Sequence, residues 1–218
     1  PITITKKGAS DHKLAITEGE RRQLRGLMGS LAWPSNQAAP HLQCSVSLGQ
    51  GTINEGSTVQ DLVEANKTLR FAKANSDVCQ VFPKICDNPD DVTFICMTDA
   101  AWAVRRDGSS QGGYLILATH RSVLTGETVK YVIVDWRSWK LPRVSRSSLA
   151  SEAQVAAGGV DALEYVKVHY NLMLDPTRDP RLNGTMTVLG KSALVVDAKA
   201  LFDAAQKPHV HNLSLIHI

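Results

Sequence analysis

Apolar residues Leu24, Leu27, Met28 and Leu31 recur at the i, i+3, i+4, i+7 spacing that lines one face of a helix. They predict a helix over 18–32, stopped by Pro34. Residues 1–18 are polar and short in pattern, and read as a strand with a turn at 8–11. A shorter helix is expected over 40–48, ending in the turn-rich Gly49-Gln50-Gly51. Ser57-Thr58 then caps a third helix whose buried face is Val59, Leu62, Val63, Asn66 and Leu69. Asp61 and Glu64 lie near its start and Lys67, Arg70 and Lys73 near its end, the signs that suit the helix dipole.

After Asn88-Pro89-Asp90-Asp91 the pattern changes to strand-like runs at 92–98, 113–118 and 129–136. Asp107-Gly108-Ser109-Ser110 and Leu124-Thr125-Gly126-Glu127 separate them, as in an antiparallel meander. A helix follows over 148–170, with Leu149, Ala153, Ala156, Val160 and Leu163 as its core stripe. Gly158-Gly159 inside it costs about 1 kcal/mol each against alanine, and no local pattern accounts for the pair. A fourth strand at 193–196 and a short helix at 198–205 complete the order. The fold class is α/β: three antiparallel strands, helix, strand, helix in a mixed sheet (88–207), preceded by a mainly helical segment (1–87). The apolar, histidine-rich end, 208–218, carries no pattern and is expected to be unstructured, its His209, His211 and His217 spaced incidentally.

Composition narrows the class without naming it. The 218 residues are 43% hydrophobic and 21% charged, enough for a soluble core. No apolar run approaches the ~18 residues of a membrane span or signal segment, so no membrane partner is expected. The sequons at Asn66, Asn183 and Asn212 then read as chance, and the site as intracellular, cytoplasmic or nuclear, not secreted. Cys44, Cys79, Cys86 and Cys96 show no zinc spacing and are expected to be reduced, Cys96 packed in a strand. The chain starts at Pro1 and reads as a fragment. The net charge of +3 says little. Its placement says more, because Arg105, Arg106, Arg121, Lys130, Arg137, Lys140, Arg143 and Arg146 cluster in one stretch, a pattern that suits a polyanion.

Three acids carry the candidate chemistry. Asp99 ends one apolar run, Glu152 lies in the first turn of the 148–170 helix, and Asp197 ends another apolar run. Singly they read as a turn residue, a first-turn helix acid and a helix cap. Together they can meet at one sheet edge as oxygen ligands for a hard cation such as magnesium. Gly184 to Ser192 imitates a phosphate-binding loop, but it has five residues between its glycines and leads into a strand, so it is set aside. No small-molecule cofactor is expected.

Thr98-Asp99-Ala100-Ala101-Trp102-Ala103, Gln111-Gly112-Gly113-Tyr114 and Arg146-Ser147-Ser148-Leu149-Ala150-Ser151-Glu152-Ala153-Gln154 resemble the ribonuclease H domain of copia-type long-terminal-repeat retrotransposon polyproteins. Arg22 to Trp33 and Val59 to Lys73 resemble the reverse transcriptase connection upstream of it, so the likeness runs over about 18–206. The resemblance implies a ribonuclease H-like fold and hydrolysis of the RNA strand of RNA–DNA hybrids. Water attacks in line at a phosphodiester, with two divalent cations, magnesium or manganese, about 3.5–4 Å apart. Asp99, Glu152 and Asp197 match three of the family's four metal ligands. The fourth follows the third by several tens of residues, whereas this chain ends 21 residues after Asp197, and Asp203 does not match. The polymerase signature Tyr-x-Asp-Asp is absent. The reading is a truncated copy with impaired activity, and the alternative is a non-catalytic remnant acting at most as a nucleic-acid-binding module. The implied partners are an RNA–DNA hybrid and the rest of the polyprotein. Arg137, Lys140, Arg143 and Arg146, placed between third strand and helix, are the expected phosphate contacts.

Overall fold

The structure is a computed structural model that describes residues 1–177, 192–206 and 214–217. Its first layer is helical: α1 (Lys6–Ser10), α2 (Glu18–Gln37), α3 (Gln43–Gly51) and α4 (Val59–Ala74). Thr17 and Glu20 form a reciprocal box at the start of α2. The Thr17 hydroxyl accepts from the Glu20 N–H at 3.2 Å, and the Glu20 carboxylate accepts from the Thr17 N–H at 2.8 Å. Thr58 and Asp61 repeat the device on α4. Leu24, Met28, Leu31, Val46 and Leu62 close the core between these helices.

Three local expectations change here. Residues 1–18 contain α1 instead of a strand. Ile2 is anchored because the Asn66 amide exchanges two hydrogen bonds of 2.8 Å with its backbone. Pro34 does not stop α2: it sits in the last turn, where its missing N–H removes one bond while its carbonyl still accepts from Ala38 and Ala39. Gly49 and Gly51 lie inside α3, not in a turn after it. A Cβ on Gly49 would stand 2.5 Å from Met28 Cε, so a larger residue there would displace the end of the Met28 side chain.

The second layer is a five-stranded mixed sheet. Its strands are β1 (Val92–Ala101), β2 (Gln111–His120), β3 (Tyr131–Lys140), β4 (Ala193–Val196) and β5 (Ser214–His217), ordered β3-β2-β1-β4-β5. β1, β2 and β3 form the expected antiparallel meander, and β4 runs parallel to β1. The helix α5 (Ser148–Leu174) crosses one face, packing Ala156 and Leu163 against Phe94, Cys96, Ile116, Leu194 and Val196. The short α6 (Lys199–Ala205) follows β4. The helical layer meets the opposite face. Trp136 donates its indole N–H to the Ser35 carbonyl at 2.8 Å, and Gln111 donates to Ser47 Oγ at 2.9 Å. Arg106 clamps the buried Asp61 carboxylate.

Pairing with neighbours moves several boundaries. β1 continues to Ala101 because Asp99 pairs with Gly113 and Ala101 with Gln111, so Asp99 lies within the strand and not at its end. β3 is shifted along the chain, which puts Arg137 and Lys140 inside it and not in the connection to α5. α5 is rotated from the expected stripe: Leu149 and Ala153 are exposed, and Ser151, Glu152, Val155, Ala156, Gly159 and Leu163 are buried. Gly159 explains that face. A Cβ there would lie 2.5 Å from Thr98 Cγ2 and 3.0 Å from Cys96 Sγ, so only glycine allows the helix so close to β1. Within 208–218, expected to be unstructured, Ser214–His217 pairs with β4 as a parallel strand. Strand addition uses backbone groups and needs no side-chain pattern. The stretch 184–191 and the sequons at Asn183 and Asn212 lie outside the described residues. Among the described residues no helix is long and apolar enough to cross a membrane.

Candidate metal centre

Parallel pairing brings the two strand carboxylates level. Met97 pairs with Val195 across β1 and β4, and two residues further on come Asp99 and Asp197, both exposed. Ala198, not Asp197, occupies the N-cap of α6. Glu152 arrives from α5, in its second turn and not its first, and is buried. Each of the three residues offers one carboxylate oxygen, and these atoms lie within 4.8 Å of one another. Residues 53 and 45 positions apart in sequence therefore share one site.

The start of α5 is held by its serines. Ser147 caps the helix by accepting the Ala150 N–H at 3.2 Å, and Ser151 donates to Ser110 Oγ at 3.1 Å. Ser110 Oγ also accepts the N–H of Ala103, a residue with φ 53°, and so ties the β1–β2 loop to the helix. The reading of the sequence missed these positioning groups. The glycine pair within a helix was the signal that α5 lies tight against β1.

Burial pushes the Glu152 carboxyl up to about 7, and the negative charges of Asp197 and Asp99 push the same way. The Ala100 backbone N–H acts in the opposite direction. Glu152 Oε2 is buried without a hydrogen-bond partner. A buried carboxyl with one unsatisfied oxygen, in a cluster with two further carboxylates, is what an added divalent cation would relieve, since hard cations take carboxylate oxygens. The all-carboxylate donor set fits a hard divalent cation.

Comparison with protein-family models, curated proteins and solved structures finds no match. The site must be read from its own geometry. Asp99 and Asp197 line a groove of about 690 Å³ between the sheet and the helical layer, with Met97, Leu115 and Trp136 facing His41 and Cys44.

The expected phosphate contacts do not gather there as a set. Lys140 is ion-paired with Asp107. Arg146 is exposed on the connection before α5. Arg137 stacks over Trp139 at 5.4 Å and shares a second groove, between β3 and α5, with Arg143. Much of the basic stretch is used internally: Arg105 bonds Ser47, Arg106 pairs with Asp61 and Arg121 with Asp91.

Proposed function

We propose that the chain is a ribonuclease H-like domain of retroelement origin. Its reaction is divalent-cation-dependent hydrolysis of the RNA strand of RNA–DNA hybrids. Residues 1–87 represent the connection to a reverse transcriptase polyprotein. One observation carries this reading: three carboxylates converge within 4.8 Å while one of their oxygens, Glu152 Oε2, is buried and unsatisfied. Two further facts support it. The order of elements, three antiparallel strands, helix, strand, helix, is consistent with such a domain. The segments that carry the resemblance hold the three acids.

Divalent cations, when bound, supply charge neutralisation at the phosphate and a lowered pKa for the attacking water. The chain supplies the rest. Asp99 and Asp197 present exposed oxygens at the groove mouth, and Glu152 presents one from the protein side, fixed by the buried serine contacts. Arg137, Lys140, Arg143 and Arg146 are the phosphate contacts of this reading, and Lys140 must leave Asp107 to serve.

A second reading rests on the number of acids. Among the described residues three carboxylates form the cluster, and Asp203, exposed on α6, is not one of them. A three-acid site favours a module that binds nucleic acid without cutting it. Purified chain with a labelled hybrid in magnesium or manganese separates the two. Cleavage of the RNA strand, abolished by Asp99→Asn, supports the nuclease. Binding without cleavage in either metal supports the module.

A further inference from the structure

The groove between β3 and α5 holds about 780 Å³; it contains none of the three carboxylates, and Tyr114 and Arg137 line both it and the groove of Asp99 and Asp197. Its shape follows from one stripe of α5. Ala157, Gly158 and Ala162 are small and form a floor, while Asp161 and Tyr165 rise from the same helix. A Cβ on Gly158 would stand 3.3 Å from the Trp139 ring, so this glycine lets the indole lie against the helix. Trp139 in turn carries the Arg137 guanidinium over its ring at 5.4 Å and meets Tyr114 edge-on at 5.7 Å. A guanidinium stacked in this way is held in place with its N–H donors free at the rim. Arg143 is exposed on the same groove, and Tyr165, whose ring lies tilted against that of His169 at 4.0 Å, leaves 66% of its surface to solvent.

Two guanidinium groups, a largely exposed aromatic ring backed by His169 and a carboxylate on the facing wall suit one class of ligand. The geometry points to a binding groove for an unpaired nucleic-acid segment, with phosphates on Arg137 and Arg143 and a base stacked on Tyr165. Asp161 keeps phosphates off the helix wall and accepts amino N–H groups of the base. A base inside a duplex has both faces occupied, so an aromatic platform selects unpaired bases. The inference rests on the proposed function for its choice of a polynucleotide, and extends Arg137 and Arg143 from contacts of the duplex to contacts of the unpaired strand beyond it.

The test uses the full chain, a fluorescein-labelled single-stranded 12-mer of mixed sequence, and EDTA, so that no cation bridges the DNA to the carboxylates. Fluorescence anisotropy should show binding that Arg143→Glu and Tyr165→Ala each weaken by about tenfold or more. The duplex of the same sequence should compete poorly. Unchanged affinity in both variants, or equal competition by the duplex, overturns the groove. Hybrid cleavage by the wild-type chain is scored separately. Oligonucleotide binding that depends on Arg143 and Tyr165 without any cleavage leaves the groove standing and removes the nuclease. Cleavage with no effect of either variant on oligonucleotide binding does the reverse.

Discussion

Met97 and Val195 are partners in the parallel β1–β4 ladder, and each lies two residues before a carboxylate. That register sets Asp99 beside Asp197. Moving β4 by one residue would turn its side chains to the other face and separate the pair. Asp99→Asn and Asp197→Asn, which leave the ladder intact, should each lower manganese affinity by about tenfold or more, as loss of even an outer partner of a ligand can. Calorimetric titration checks this, and unchanged affinity in either variant removes that residue from the site.

The Glu152 carboxyl should give the protein an unusual pH response. Its pKa is raised from the ordinary 4.5 to about 7 in the folded state, so folding favours the protonated form. The stabilising contribution is fully present below about 4.5 and is lost as pH rises through about 7. In EDTA, Glu152→Gln should therefore unfold at a higher temperature than wild type at pH 7.5, the gap closing toward pH 4.5. Saturating magnesium should raise the wild type at pH 7.5 and leave the variant nearly unmoved. Thermal unfolding curves at the two pH values decide it, and a gap independent of pH would refute the assignment.

Gly158 and Gly159 are adjacent but should respond oppositely to alanine. At Gly159 the added Cβ meets Thr98 at 2.5 Å, and overpacking of this kind costs about 1–3 kcal/mol. At Gly158 the nearest atom is 3.3 Å away, on the Trp139 ring, and the helix-propensity gain of about 1 kcal/mol can offset it. Urea denaturation should find Gly159→Ala the less stable of the two, and equal midpoints would contradict the packing account.

Arg106 fastens the sheet to the helical layer through Asp61, which is 5% exposed. Arg106→Ala should destabilise by about 2 kcal/mol, the scale of hydrogen bonds to a charged group. It should cost less than the ~3–5 kcal/mol of a fully buried pair, because Arg106 is half exposed and Thr58 still bonds the carboxylate. Indole fluorescence should report early separation of the layers, since Trp136 hydrogen-bonds Ser35 across that interface.

Burial pushes the Cys96 thiol up to about 12, with Asp135 adding to the effect. Cys44 and Cys79 are exposed. Native alkylation at pH 8 should modify those two and spare Cys96 until the chain is unfolded. Mass spectrometry after a short pulse reads the outcome, and early labelling of Cys96 would mean that α5 does not cover it.

Much of the fold was legible along the chain because it depends on near neighbours. The box at Thr58 and Asp61, the period of Leu24, Met28 and Leu31 and the run at Ala193–Val196 each state an element within one or two turns of sequence. Between α2 and α6, helix against strand and the order of elements were therefore determined by the sequence alone, as was the choice of Asp99, Glu152 and Asp197 as candidates, whereas α1 and β5 were not. Tertiary structure decided the rest. Strand limits followed from partners, as Asp99 with Gly113. The buried face of α5 followed from a glycine fitting Thr98, and two basic residues went to internal ion pairs because Asp61 and Asp107 lay within reach. Whether three acids so far apart in sequence meet is a question of register and packing. Local propensity acts over a few residues, whereas the distance between two strand ends is set only when the backbones between them have paired.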